Sequence, residues 1–472
     1  MADTSHGGKY DLAVIGAGSA GFSAAITAAD LGAKVALIGH GTIGGTCVNV
    51  GCVPSKAMIR AVEITRAARA AARFDGVEAR AKVINWAAMV AQKQALVDEL
   101  RGAKYEDVLP NYPLVDYIEG KAVFQAGGGL LVDGQIIEAG KIIIATGSHV
   151  RVPKLDGLAG VRWLDSTSAL QLAALPATMM IMGGGYIGVE LAQIFARAGS
   201  KVTIVTRHGL LPEAEPEVSA ALTEAFEAEG IGVLKGLSYE SVSEAAGQVT
   251  LQARLNGQPI DITAERLLLA TGRAPNSASL DLGVAGVKTD AHGGVLVDGK
   301  MMTSHKDIYA AGDVTGRDQF VYMAAHGARL AAQNAVGAGA PDYDNSTMPA
   351  VVFSDPQVAS VGLTEAAAKD QGIETVVSVL DLANVPRALA ARDTRGLIKL
   401  VAEKSSKKLL GAHIVAPEGA DSIQTAAMAL KMGMSYVELG AMIFPYLTTV
   451  EGLKLAAQTF EKDVAKLSCC AG

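Results

Sequence analysis

The sequence predicts an α/β chain of two doubly wound units followed by a smaller C-terminal α+β domain. Three observations carry that expectation. A short apolar strand runs into clustered glycines twice, at 10–21 (YDLAVIGAGSAG) and at 177–188 (ATMMIMGGGYIG). Each copy continues into a small-residue helix and a second strand, at 34–38 and 201–209, and each closes later on an ATG turn, at 145–147 and 270–272. From about Pro349 the pattern changes to alternating strands (VVFSDPQVASVG, then GLIKLVAEKSSKKLLGAHIV) and then to helices. The first two observations describe one strand–glycine–helix design used twice. The third describes a separate domain suited to association.

The elements follow in order. Residues 10–16 form a buried strand, and the helix after the glycines runs to about Leu31. Residues 56–73 and 86–101 have Ala-rich helical periodicity. The segment 115–145 alternates and breaks at Gly and Asp-Gly, the pattern of a small antiparallel sheet. KIIIATG at 141–147 is a buried strand ending in a tight turn, and IYAAGD at 308–313 is a further strand-to-glycine turn. The last residues, KLSCCAG, read as a free tail.

A chain of 472 residues is too long for one core. Its net charge of −7, with no run of Lys and Arg, argues against nucleic acid as a partner. No stretch of about 18 apolar residues is free of charge and turns, so no membrane span is expected. The start lacks a basic segment followed by an apolar one, which leads to the expectation of a cytoplasmic protein. Four cysteines stand in two close pairs, Cys47 with Cys52 and Cys469 with Cys470. In a reducing compartment such pairs do redox chemistry or bind metal.

The glycine sets have the spacing of dinucleotide sites. In Gly16, Gly18 and Gly21 the first glycine permits the turn, the second lets backbone approach a pyrophosphate, and the third lets helix and strand pack closely. Such units commonly place an acid at the end of the second strand for the ribose; here Gly39 and His40 stand there. His40 either bonds the ribose instead or is an exposed loop residue. The second set is Gly183, Gly185 and Gly188, and its second strand ends in Arg207 and His208. A cation beside that slot suits the 2′-phosphate of NADPH, against the alternative of an ordinary surface charge.

The densest motif is Gly44-Gly45-Thr46-Cys47-Val-Asn-Val-Gly51-Cys52-Val-Pro-Ser-Lys56. Cysteines five apart on a regular helix sit roughly 7.5 Å apart along its axis. A disulfide needs Cα atoms about 4.4–6.8 Å apart, so the pair closes only if the helix start is distorted, and Gly51 offers that freedom. A helix N-terminus and Lys56 would favour a thiolate. Structural zinc needs more ligands than this neighbourhood holds.

GGTCVNVGCVPSK resembles the active-site signature of the pyridine-nucleotide disulfide oxidoreductases. The resemblance extends over both glycine sets, both ATG turns, the AGD turn and the start of the C-terminal domain. It implies FAD on the first unit (1–155 and 275–345), NADPH on the second (156–274), and a dimerisation domain (346–472) that makes a homodimer with its active site at the subunit interface. By that resemblance Cys52 faces the flavin and Cys47 exchanges with substrate. Lys56 and Glu190 lie near the flavin ring, and Asp313 holds its ribityl or phosphate portion. Gly45, Thr46, Thr146, Gly147 and Gly272 join the glycine sets, Arg207 and His208 as cofactor-binding residues.

Family members that act on glutathione and lipoamide carry a His-Pro near the end, with a Glu that partners the His as acid/base. Here the segment is Phe444-Pro445-Tyr446-Leu447-Thr448-Thr449-Val450-Glu451, with Phe at the His position, Thr449 at the Glu position and Glu451 two residues beyond. That argues against an organic disulfide as substrate. The Phe-Pro-Tyr segment and the Ser-Cys-Cys-Ala-Gly end resemble the mercury-reducing branch of the family. That branch implies Hg(II), arriving as small-thiol complexes, as substrate and Cys47, Cys52, Cys469 and Cys470 as its ligands. It implies Tyr105 and Tyr446 as active-site tyrosines, where the alternative is plain packing. Many members of that branch begin with a small metal-binding domain. This sequence begins at the flavin unit, so delivery is expected to rest on the tail or on another protein. A disulfide reductase for a small thiol compound, a metal-sequestering flavoprotein without turnover and a plain NADPH oxidase remain as alternatives.

Overall fold

The computed structural model describes residues 9–466. They form two compact units. The first takes residues up to Ala57, Ala88–Arg151 and Gly272–Asp344; the second takes Met58–Ala87, Val152–Thr271 and the residues from Asn345.

In the first unit, β1 (Tyr10–Ile15) enters the middle of a sheet. It leads through α1 (Ser19–Asp30) to β2 (Val35–Gly39), beside β1. The short helix α2 (Gly45–Asn49) and the start of α3 (Cys52–Arg69) follow, and β3 (Val115–Glu119) adds to the outer side of β2. Strands Ala139–Ile144 and Ile308–Ala310 extend the other side of β1, and all five strands are parallel. The chain therefore reverses direction across the sheet between β1 and Ala139–Ile144. Ligands of open α/β sheets sit at the carboxyl ends of the strands beside such a reversal. Apolar side chains fill both faces. Leu12, Val14, Val35 and Leu37 pack with α1 and with helix Val321–Ala335. Ala13, Ile15, Ala36 and Ile38 pack on the opposite side with Leu280, Val287 and Val295.

The expected antiparallel sheet at 115–145 is smaller than its sequence segment. Ala122–Phe124, Leu130–Val132 and Gln135–Ile137 do form a three-stranded antiparallel sheet. The two ends of the segment, β3 and Ala139–Ile144, pair parallel in the main sheet instead. The helix expected over 56–73 starts four residues earlier, at Cys52, and its last turn, Ala70–Arg73, is 3₁₀.

The second unit repeats the design. Strands Gly232–Leu234, Lys201–Val205, Thr178–Met182 and Arg266–Leu269 lie parallel in that order, with helix Tyr186–Ala198 after the glycines. The chain then builds a five-stranded antiparallel sheet, in spatial order Ala350–Val352, Gln357–Gly362, Leu409–Ala416, Leu397–Glu403, Thr375–Asp381. Helices Gly419–Lys431 and Glu451–Gln458 contribute to its core. None of the described helices is long and apolar enough to cross a membrane.

Candidate active site

The two glycine turns have the same construction. Gly16 and Gly183 have φ of +119° and +117°, and a Cβ on either would run into the carbonyl of Ala145 or Ala270, the first residue of the matching ATG turn. Gly21 and Gly188 let the helix lie on its own strand end, because a Cβ there would meet the carbonyl of Gly16 or Gly183. In the first unit the cysteine loop closes over this turn. Gly44 donates its N–H to Ala17 O at 2.9 Å, and a Cβ on Gly45 would stand 2.6 Å from Gly18 Cα. The bare backbone of Gly18 and Gly45, at the N-termini of α1 and α2, forms a cradle with the polarity a pyrophosphate needs.

The two cysteines stand on either side of a helix break. α2 ends at Asn49, Val50 leaves the helix with φ −140°, and α3 begins at Cys52. The expected distortion is present, but Gly51 serves it by contact rather than by torsion. Its φ is not positive, and a Cβ there would lie 2.9 Å from Thr46 O and 3.4 Å from Cys47 Cα. Cys47 and Cys52 lie near enough for the Cys52 thiol and backbone N–H both to act on the Cys47 sulfur. The Cys52 thiol and then burial push the Cys47 thiol pKa up, while the Cys52 N–H and the Lys56 charge pull it down. The two influences expected to favour a thiolate are present, and at Cys47 they are outweighed.

Tyr105 stands in the π-helical turn Gly102–Glu106. Its hydroxyl lies 3.2 Å from Ser19 Oγ at the start of α1, and its ring packs edge-on to Phe22 at 4.8 Å. Burial raises its pKa, the Ser19 hydrogen bond offsets part of that, and negative charge forming on Cys47 or Cys52 would raise it further, so it stays a protonated phenol within electrostatic reach of the pair.

The other turns of the first unit are tied together. Thr146 Oγ1 donates to Asn276 O at 2.6 Å, and the Asn276 side chain and backbone donate to Thr146 O and Gly147 O at 2.9 Å. Asp313 accepts from Ser148 Oγ at 2.6 Å, and Ser148 in turn accepts from Arg273 Nε at 2.7 Å. Sequence reasoning missed Ser19, Asn276, Ser148 and Arg273; the available signal was position, Ser19 inside the first glycine set, Ser148 just after the first ATG, and Arg273 and Asn276 just after the second. A cavity of about 420 Å³ in this unit is lined by Arg151, Gly272, Arg273, Asp290 and His292 among others. None of the cysteine-loop or first-turn residues lines it, so it is separate from the redox pair.

In the second unit the backbone at Gly185, the N-terminal cap of helix Tyr186–Ala198, is open to a ligand. Arg207 lies over the Tyr239 ring at 5.1 Å, and the His208 N–H donates to Thr206 Oγ1 at 3.3 Å. Glu190 is buried and accepts from the Phe353 N–H at 3.0 Å. Tyr446 is 54% exposed. Phe444 packs against the C-terminal core, Thr449 donates to Glu418, and Glu451 accepts from the Leu447 N–H. Cys469 and Cys470 lie outside the described residues.

Two glycine turns of one construction at strand ends, one of them overlain by a loop with a cysteine pair, define a dinucleotide-dependent dithiol oxidoreductase. The chain belongs to the pyridine nucleotide-disulphide oxidoreductase family. That family's model matches residues 10–339, and the model of its dimerisation domain matches 348–457. Among similar proteins, the mercuric reductase of Acidithiobacillus ferrooxidans is 46% identical over 99% of this chain and 86% of its own length. That of Streptomyces lividans is 45% identical over 98% of both. The HOCl-induced flavoprotein disulfide reductase RclA from Escherichia coli has a similar solved structure: TM-score 0.84, 31% identity, 95% of this chain and 99% of the other.

Proposed function

We propose that this chain passes two electrons from NADPH to Hg(II) held by Cys47 and Cys52 and releases Hg(0), acting as a homodimer. The carrying observation is the dithiol: Cys47 and Cys52 face each other across the break between α2 and α3, close enough for each to act on the other, with the Lys56 charge beside Cys47. A pair of soft sulfur ligands suits a soft ion. Exchange with an organic disulfide would instead call for a proton donor to the leaving thiolate. Phe444 cannot be one, Thr449 is engaged with Glu418, and Glu451 accepts the Leu447 N–H. The mercuric reductases at 44–46% identity support the same reading.

Bound FAD and NADPH supply the transfer of an electron pair from nicotinamide toward sulfur and metal. We assign FAD to 1–155 with 275–345, NADPH to 156–274 and dimerisation to 346–472. Gly16, Gly18, Gly21, Gly45 and Thr46 would hold the FAD pyrophosphate side, with Lys56, Thr146, Gly147 and Asp313 further along it. Gly183, Gly185, Gly188, Arg207 and His208 would hold NADPH. Hg(II) arrives in the cytoplasm as small-thiol complexes. Cys469 and Cys470 of the partner subunit take it up and pass it to Cys47 and Cys52 by ligand exchange. A thiol that binds the ion loses its proton, and a displaced small thiolate takes one up. The ion gains two electrons and leaves as Hg(0), which thiols bind poorly. Tyr105 and Tyr446 flank the path. Met428, Met432 and Ile443, exposed by 63%, 78% and 98%, offer the apolar surface for pairing.

The test is NADPH oxidation by the FAD-loaded protein with Hg(II) in excess small thiol, with volatile mercury trapped in the same run. Oxidised glutathione and lipoamide are offered in parallel. Loss of NADPH that tracks Hg(0) is the expected result. Turnover with a disulfide and none with mercury overturns it, and tight Hg(II) binding without NADPH loss marks a sequestering protein. For the second site, Arg207→Glu should move kcat/KM from NADPH toward NADH by about 10–100-fold, the worth of a charge-assisted bond. An unchanged ratio removes Arg207 as the phosphate ligand.

A further inference from the structure

The end of β2 lacks the acid that dinucleotide units use for the adenosine ribose, and the structure shows why none fits there. A Cβ on Gly39 would stand 2.5 Å from the Tyr117 hydroxyl and 2.9 Å from Ala17 Cβ. The slot is thus closed by a ring from β3 on one side and the glycine turn on the other. His40, the next residue, is exposed.

β3 supplies an acid of its own at the same level. β2 and β3 pair parallel, with Leu37 opposite Tyr117 and Gly39 opposite Glu119. Residues paired in this way share a face, and neighbouring strands lie about 4.8 Å apart. Tyr117 and Glu119 therefore stand on the face of Leu37, which packs with α1, whose N-terminus forms the pyrophosphate cradle. Among the described residues no hydrogen bond engages the Tyr117 hydroxyl or the exposed Glu119 carboxylate. Burial and then the Glu119 charge raise the Tyr117 pKa, so the phenol stays a donor next to an acceptor. A ribose diol, which both donates and accepts, matches that pair.

We propose that the ribose-binding acid of the first unit stands on β3 instead of β2: Glu119 accepts from the adenosine ribose hydroxyls of FAD, and Tyr117 fills the place of a side chain at Gly39 and braces the site. This rests on the assignment of FAD to the first glycine cradle.

The test is the dissociation constant of the apoprotein for FAD, read from flavin fluorescence, alongside an FAD analogue with a 2′,3′-dideoxyadenosine half. Glu119→Gln and Glu119→Ala should weaken FAD binding about tenfold, the scale of a hydrogen bond to a charged group. They should leave the analogue's affinity unchanged. Gly39→Glu alone should bind FAD poorly, because Tyr117 occupies its space. Gly39→Glu combined with Tyr117→Val and Glu119→Gln should recover affinity to within about threefold, since the acid is then back on β2. Glu119 variants that bind FAD like the parent, or that lose FAD and analogue equally, overturn the proposal. A parent protein that takes up no FAD overturns the underlying assignment as well, and is recognised before any variant is measured.

Discussion

A methyl group at Gly51 would press on the backbone that carries Cys47. The Cβ of an alanine would lie 2.9 Å from Thr46 O and 3.4 Å from Cys47 Cα, both fixed backbone of α2. Relief must come from moving α2 away from the start of α3, which separates Cys47 from Cys52. Overpacking of this kind costs about 1–3 kcal/mol. Gly51→Ala should lower the melting temperature and slow closure of the Cys47–Cys52 disulfide, followed by titrating thiols after mild oxidation. A parental closure rate would show that the break between the helices tolerates a side chain. The need for that break was legible in the sequence, because a five-residue spacing does not close on a regular helix. The atoms pressing on Gly51 were not legible, because they are set by how α2 folds back on α3. Tyr117 was hidden for the same reason: an aromatic residue in an alternating segment has no evident tie to Gly39 until the register of β3 on β2 is known.

Strand Leu397–Glu403 shows how far an element can depart from its sequence pattern. Nothing in GLIKLVAEKSSKKLL sets Lys399 apart from Lys404, Lys407 or Lys408, yet Lys399 is 1% exposed. Its ammonium donates to Glu215 and Glu217 at 3.0 Å and to Glu365 at 3.1 Å. Glu215 and Glu217 stand at the start of helix Pro216–Ala228, where the helix dipole also favours acids. This one cation therefore fastens the helix of the nucleotide-binding part to the C-terminal sheet within the second unit. Burial works against the charge, but the three carboxylates hold the Lys399 pKa above the ordinary lysine value. Burial likewise raises Glu217, but its backbone bond and Lys399 bring its pKa below 4.5. Glu217 thus adds stability that is present above pH 4.5 and lost as pH falls through its depressed folded value. Lys399→Met, which strands the buried Glu215, should cost about 3–5 kcal/mol at neutral pH. In denaturant unfolding, the gap between parent and variant should narrow below pH 4.5. A gap that stays constant into acid would mean that packing of the lysine stem, rather than its charge, holds the helix.

At the scale of the molecule, the duplicated nucleotide unit was legible because a glycine turn is a local signal, and Gly16, Gly21 and Ala145 recur as Gly183, Gly188 and Ala270. The parallel placement of β3 and Ala139–Ile144 was not, since it depends on partners distant in the chain. The proposed pairing of two chains is tested at an exposed residue of the C-terminal domain. Ile443 is 98% exposed, while its neighbour Phe444 is anchored in the C-terminal core, so the isoleucine is held outward from a fixed base. Across a two-fold axis each substitution acts twice. Burying an isoleucine contributes about 1.5–3 kcal/mol, so losing two contributes about 3–6 kcal/mol before the cost of burying a charge is added. Ile443→Glu should therefore raise the dimer dissociation constant by at least about a hundredfold, read by sedimentation of parent and variant over a dilution series. Because the side chain is exposed, FAD content should not change, whereas Hg(0) production should fall with the loss of dimer if Cys469 and Cys470 serve the pair of the partner subunit. Retained dimer would move the interface off this face. A monomer with full activity would keep the interface and show that each chain delivers metal to its own cysteines.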